Sequence, residues 1–340
     1  MTVAIGIIGL AQSGKTTVFN ALTKGHAGTG GYSREAAHTG IARVPEPRLE
    51  MLAKVLHPKK VVPAEVRYLD VGASVKGLVQ EAAITGELLS QLTNTDALIN
   101  VARAFTDESI PHIEGSVGAQ RDIATMELEL TFSDLAIIER RLKKIELSLK
   151  GAPQAERQSL LREQELLMKI KAELEKDVPI QELSLSDDEA RSIASYQFLS
   201  AKPLLIVVNI GEDQLSQAQV LEAELSSGYA GPRRRLITLC GKLEMELAEL
   251  DNSSAAELRA GFDLEESGLN RTIKLSYELL GLISFFTIAS GEFRAWSITR
   301  GTTALKAAGK IHSDMERGFI RAEVISCDDL LKTSYPRLKF

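Results

Sequence analysis

The chain has 340 residues, 44% of them hydrophobic and 25% charged, and a formal net charge of −6. That length predicts two or three domains with a sizeable core, and the negative balance excludes a protein drawn to nucleic acid by its overall field, leaving only a local basic face for such contact. Two distant cysteines, Cys240 and Cys327, and five histidines without ligand-type spacing argue against a disulfide framework or a zinc site and for a reduced, cytoplasmic setting. The first apolar run is too short to span a bilayer and has no basic segment before it, so neither a secretory signal nor a membrane helix is expected.

The chain opens on Val3-Ala-Ile-Gly-Ile-Ile, a run that reads as a buried strand. It breaks at Gly9, loops to Gly14, and enters an amphipathic helix carrying Val18, Phe19, Ala21 and Leu22. Gly9, Gly14, Lys15 and Thr16 match G-x-x-x-x-G-K-[ST], with a strand before and a helix after, as a phosphate-binding loop requires. Glycines let backbone N–H groups turn inward, and the helix N-terminus adds partial positive charge. Ala11, Gln12, Ser13, Gly14, Lys15, Thr16 and Thr17 are therefore the expected phosphate contacts. Lys15 would reach the β- and γ-phosphates, and Thr16 would coordinate Mg²⁺.

Residues 25–40 are rich in Gly, Ala, Ser and His without an apolar period. They read either as a switch ordered by the γ-phosphate or as a plain connection. After Pro45, Pro47 and Pro58, an alternating apolar run from Val61 to Leu69 predicts a strand ending at Asp70. A carboxylate there is placed to hold Mg²⁺ with Thr16. Gly72, Lys76, Gly77 and Gly86 punctuate a candidate second switch. Further strands are expected at Ala97 to Val101, Ala201 to Asn209 and Arg235 to Cys240. Strands alternating with helices predict an α/β fold with a mostly parallel sheet covered on both faces, its ligand beyond the strands' C-terminal ends.

Between the third and fourth strands, Leu135, Ile138, Leu142, Ile145 and Leu149 recur at spacings of three and four. Beyond Lys150-Gly-Ala-Pro153, Leu160, Leu167, Ile170 and Leu174 carry a similar seam. This predicts an antiparallel coiled-coil hairpin. From Glu139 to Lys176 there are ten Lys/Arg and seven Asp/Glu, a local +3 that fits either a solvated face or an arm touching RNA or protein. The last part alternates through Phe285-Phe-Thr-Ile, Phe293 to Ile298 and Phe319 to Ile325, with a helix around Thr303 to His312. This predicts a small β-rich α+β module with Phe293 and Trp296 in its core. The resulting division is 1–118 with 200–280, 119–199, and 281–340.

Taken together, these features resemble the YchF/Obg-like ATPase family, a branch of the P-loop nucleotidases related to translation factors. The resemblance runs nearly end to end and is most specific at Gly9-Leu10 to Phe19-Asn20-Ala21-Leu22-Thr23-Lys24, Pro45 to Leu49, Val75-Lys76-Gly77, Ala295-Trp296-Ser-Ile, and Ala307-Ala-Gly309-Lys310-Ile311-His312-Ser-Asp314 on through Gly318 to Val324. It implies a closing β-grasp, ubiquitin-like TGS domain. It also implies that Asn209-Ile210-Gly211-Glu212 stands where ordinary GTPases carry Asn-Lys-x-Asp, a change that goes with ATP being accepted at least as well as GTP. Asn209, Ile210 and Glu212 become base-side candidates, as do Cys240 and Gly241, which fall where the family has its last base-contacting loop.

The chain departs from the family at several points. The loop reads Ala11-Gln12-Ser13-Gly14-Lys15-Thr16 instead of the common Pro-Asn-Val-Gly-Lys-Ser. Arg34, beside Ser33, occupies the place of a Mg²⁺-binding Thr, and Asp70-Val71-Gly72-Ala73 shifts the switch glycine by one. The Leu88 to Leu92 stretch lacks a His found in some relatives, and Pro336 to Phe340 stands where a last strand belongs. The resemblance implies a Mg²⁺-dependent switch with slow ATP or GTP hydrolysis, Lys15 and Asp70 serving the chemistry, acting on the ribosome or RNA-bound partners as a monomer away from membranes. A non-hydrolysing ATP sensor is the alternative. A small-metabolite kinase would leave the tail without a role.

Overall fold

Residues 3–25, 38–71, 85–229 and 231–332 are described by the computed structural model of the chain. The opening run forms β1 (Val3–Ile8), followed by β2 (His38–Arg43), β3 (Lys60–Val62), β4 (Glu65–Asp70), β5 (Ala97–Arg103), β6 (Leu204–Asn209), β7 (Arg234–Leu239), β8 (Leu282–Ala289) and β9 (Glu292–Thr299). The helices are α1 (Lys15–Thr23), α2 (Pro47–Leu56), α3 (Thr85–Thr93), α4 (Ala119–Leu149), α5 (Gln154–Leu174), α6 (Asp187–Ile193), α7 (Ala218–Tyr229), α8 (Gly241–Glu249), α9 (Asn252–Gly261), α10 (Gly268–Leu279), α11 (Ala304–Ile311), α12 (Ser313–Arg317) and α13 (Cys327–Lys332).

The larger sheet has the order β2-β4-β1-β5-β6-β7, parallel throughout except for β2, which pairs antiparallel with β4 at the edge. All residues of β5 and β6 are buried, because helices cover both faces of a parallel sheet. Alternation along the strands divides their side chains. Ile5, Ile7, Ile99, Val101, Leu205 and Val207 pack toward α1 and α10, while Ile8, Leu98, Ala102, Ile206 and Val208 pack with Ile123, Met126 and Leu130 of α4.

The expected strand from Val61 to Leu69 is two strands. Pro63 has no N–H to give a ladder, and the chain changes sheets there: β3 pairs parallel with β9, and β4 pairs with β1. The smaller sheet, β3-β9-β8, rests on the first core, with Phe293 and Ala295 in the same apolar cluster as Leu49 and Leu52 of α2. Trp296 is half-buried against Phe285 and donates from Nε1 to Thr287 Oγ1 at 2.9 Å. The expected strand at Phe319 to Ile325 does not form. Ile320 and Val324 are 91% and 88% exposed, and no described strand pairs with the segment. Pro336 to Phe340 lies outside the described residues.

Helices α4 and α5, joined through Gly151 and Pro153, form the expected hairpin. The residues of both predicted seams share one apolar cluster, and Arg141–Glu163 and Lys171–Glu139 pairs cross between the helices at 2.7 and 3.0 Å. The first turns of α4 belong instead to the sheet core, so one helix runs from the sheet into the arm. Asp134 marks the junction: its buried carboxylate accepts from Leu199 N and Ser200 N, both at 2.8 Å, fastening the returning chain to α4. Arg234 adds ion pairs to Glu127 and Glu182. Among the described residues no helix is long and apolar enough to cross a membrane.

Burial raises the Asp134 carboxyl from 3.8 to about 6. The folded chain therefore holds that proton more tightly than the unfolded chain does, and this group's contribution to stability falls as pH rises from about 4 to about 6 and is level above. Asp134→Asn removes this titration and leaves one acceptor for two N–H donors, at a cost of about 1–3 kcal/mol. Urea unfolding of both proteins from pH 4 to 8 checks it. The advantage of the wild type should shrink between pH 4 and 6 and stay constant above, whereas a difference independent of pH would contradict the assignment.

Candidate nucleotide site

The phosphate-loop residues lie between the end of β1 and the start of α1. Gly9, with φ of +150°, must be glycine: an added Cβ would meet the Val101 carbonyl at 2.4 Å. Gln12 (φ 62°) and Gly14 (φ 91°) take left-handed backbone, which curls the loop back over the strand. Gly14 caps α1 without a side-chain bond, so the first N–H groups of that helix are not taken by a cap residue. This is the arrangement that binds a phosphate.

Asn209, at the end of β6, ties the loop down. Its Nδ2 donates to Ser13 O at 3.0 Å, and its Oδ1 accepts from Gly241 N at 2.9 Å. A Cβ on Gly14 would overlap that Nδ2 at 2.2 Å. The residue expected to read a purine edge thus spends most of its amide joining two loops, with one amide hydrogen left over. Ile210 is buried in the apolar cluster beneath, its side chain turned into the protein. Glu212 forms an exposed ion pair with Lys242 at 3.0 Å. Cys240 is buried at the start of α8, and burial pushes its thiol pKa up.

Lys15 is buried and donates from Nζ to the carbonyls of Gly9 (3.1 Å) and Leu10 (2.8 Å). Burial lowers its pKa to about 8, against the opposing pull of Asp70. Thr16 donates from Oγ1 to Asp70 Oδ2 at 2.8 Å, while Asp70 Oδ1 is buried without a hydrogen-bond partner. Burial raises the Asp70 pKa, and the Thr16 bond, Lys15 and His38 pull it back. The Ser13 hydroxyl is likewise buried and unpartnered. A carboxylate oxygen with no partner beside a threonine hydroxyl fits a hard divalent cation, which takes oxygen ligands and keeps several waters. The structure brings Ser13, Gly14, Lys15, Thr16, Asp70, Asn209 and Gly241 together, with half-buried Ala11 and Thr17 and exposed Gln12 on the same loop. Ser33, Arg34, Gly72, Ala73, Lys76 and Gly77 lie outside the described residues.

The sequence reading passed over Phe105. Its N–H donates to Asn209 O at 3.1 Å, and its ring would lie 3.9 Å from a Cβ on Gly14. No motif marks it: Phe105 is a single aromatic residue two positions beyond the end of β5.

Comparison with known proteins sets this site in context. The chain is 36% identical over 335 residues to the ribosome-binding ATPase YchF of Bacillus subtilis (strain 168), spanning 97% of this chain and 90% of the relative. To the proteins of the same name from Pasteurella multocida (strain Pm70) and Escherichia coli O157:H7 it is 35% and 34% identical, each match spanning 96% of this chain and 89% of the relative. The chain belongs to the YchF family. Residues 282–339 match the family model YchF-GTPase_C, described as a protein of unknown function (DUF933). The solved structure of the Schizosaccharomyces pombe YchF GTPase superposes with a TM-score of 0.81 at 29% identity, covering 98% of this chain and 90% of that one. The α/β fold with a C-terminal domain of the YchF type is thus a family property.

A bound triphosphate would raise the Lys15 pKa above 8, so binding at pH 8 and above takes up protons. Affinity should be level just below pH 8 and fall by up to about tenfold per pH unit above it. Titration calorimetry at pH 8.5 in buffers of different ionisation enthalpy checks this. Net proton uptake that disappears in Lys15→Arg is expected, and affinity unchanged from pH 7.5 to 9.5 would contradict it.

Proposed function

We propose that this chain is a Mg²⁺-dependent purine-nucleotide switch that hydrolyses ATP slowly, accepts GTP no better than ATP, and acts in the cytoplasm on the ribosome. The observation that carries the reading is the joined set of Gly14, Lys15, Thr16 and Asp70, in which a buried lysine and an unpartnered carboxylate oxygen face the start of a helix. In this reading the N–H groups of the loop and of the first turn of α1 hold the phosphates, and Lys15 exchanges the Gly9 and Leu10 carbonyls for phosphate oxygens. Thr16 and Asp70 would hold Mg²⁺, and the ion would supply positive charge to offset that of the phosphates.

On the base side, the Glu212–Lys242 pair supports the reading that ATP is accepted at least as well as GTP. The guanine clamp needs a free carboxylate, and Glu212 is paired with Lys242. Phe105 offers an aromatic surface beside Gly14 where a purine can lie, whichever its exocyclic groups. The ribosome is proposed as partner because the curated relatives carry ribosome binding in their names and because the arm presents cations on its outer side, with Lys143, Lys144 and Lys150 exposed around Leu147.

Lys15→Ala should weaken Mg-ATP binding by about 100-fold, since it removes a charge-assisted bond to phosphate. Calorimetry with the wild type and variant measures this, and equal affinities would reject the site. Labelled ATP should be displaced by unlabelled ATP at least as well as by GTP; tight GTP binding without competition from ATP would reject the base assignment. Phosphate release followed over hours, with and without ribosomes, distinguishes a slow hydrolase from a non-hydrolysing sensor.

A further inference from the structure

We propose that Arg103 is a positioning residue for the base, holding Phe105 against the purine end of the nucleotide site; this rests on the function proposed above. Arg103 closes β5 one step along from Ala102 and is in register with Asn209 of β6. It is among the largest fully buried side chains of the protein. Its guanidinium sits 4.4 Å from the centre of the Phe105 ring. Its Nε donates to Phe105 O at 3.1 Å, and one terminal nitrogen donates to Ile110 O at 2.9 Å and Asp107 O at 3.3 Å. The loop after β5 is wrapped around this cation, and the ring stacked on it is the one beside Gly14.

Stability alone does not explain that arrangement. Asp107 and Asp122 attract Arg103 from a distance, but among the described residues no carboxylate closes to ion-pair distance, and its second terminal nitrogen is buried without a partner. A buried cation with no direct ion pair and one hydrogen bond unmade is a liability that an apolar side chain of similar length would remove. The loop carbonyls it holds belong to a largely exposed segment. Beyond them, it supplies the flat cationic backing that fixes the plane of the Phe105 ring. The loop then continues to His112, which bonds Asp122 of α4 at 2.8 Å, with Arg121 on the other oxygen of the same carboxylate. Arg103 holds the near end of the loop and Asp122 the far end, so the ring has one defined place.

The test compares Mg-ATP with inorganic tripolyphosphate, which has the charge but no base, on the wild type, Arg103→Met, Arg103→Lys and Phe105→Ala. Titration calorimetry should show ATP affinity falling about tenfold or more in Arg103→Met, with tripolyphosphate affinity held within about twofold, since base stacking alone is lost. Thermal unfolding of each variant should stay cooperative and well above the titration temperature, so that the affinities are those of folded chains. Arg103→Lys should recover part of the ATP affinity, and adding Arg103→Met to Phe105→Ala should lower it no further. The inference is overturned if ATP and tripolyphosphate weaken together, if neither weakens, or if the two substitutions act independently. A wild-type chain that binds neither ligand overturns the nucleotide reading itself and this inference with it.

Discussion

The carboxamide of Asn209 joins the two loops between which the nucleotide cradle is built. Through one donor and one acceptor it fastens Ser13 of the phosphate loop to Gly241 at the start of α8. Neither loop has regular secondary structure to hold it, and both leave the sheet at the ends of parallel strands. The tie also explains two glycines by geometry: a side chain at Gly14 would occupy the amide nitrogen's place, and one at Gly241 would press on the amide oxygen at 3.0 Å. With the loop fixed, Lys15 is held over the Gly9 and Leu10 carbonyls, and Thr16 reaches Asp70. Each of these groups is buried or half-buried and imperfectly satisfied by protein alone, the condition in which a charged ligand adds most.

The phosphate loop was legible in the sequence because its requirements are local. Two glycines, a lysine and a hydroxyl at fixed spacing dictate a turn and a helix start without help from distant residues. The hairpin was legible for the same reason, since its seams and its Gly/Pro turn lie within one stretch. Pairing between distant segments was less accessible. His38 to Arg43 carries no strong strand pattern and becomes β2 because the edge of β4 is open to it. Val61 and Val66 look like one strand until Pro63 sends them to different sheets. The alternation from Phe319 to Ile325 is real, yet alternation specifies only a strand's faces and not its neighbour.

Most of the residues expected on the base side make their contacts with the protein itself. Asn209 was expected to read the purine, and its main contacts turn out to be with the protein. Ile210 was expected near the ligand and is packed below it. Glu212 is paired with Lys242 at the surface. Phe105 went unnoticed because nothing in a single aromatic residue after a strand announces proximity to a loop ninety positions earlier. The arm shows a related effect. Helix α4 is continuous from Ile123, in the core of the sheet, to Leu149 at the arm's far end, so a change at the sheet has a rigid element along which to act.

The account's central claim is that this cradle holds a triphosphate through Lys15 and the loop amides. The most direct measurement is a crystal structure of the chain with ATP and Mg²⁺. The account predicts phosphate oxygens in place of the Gly9 and Leu10 carbonyls at Lys15, the cation beside Thr16 and Asp70, and the Asn209 tie unbroken. Nucleotide bound elsewhere, with Lys15 still on its two carbonyls, would contradict it.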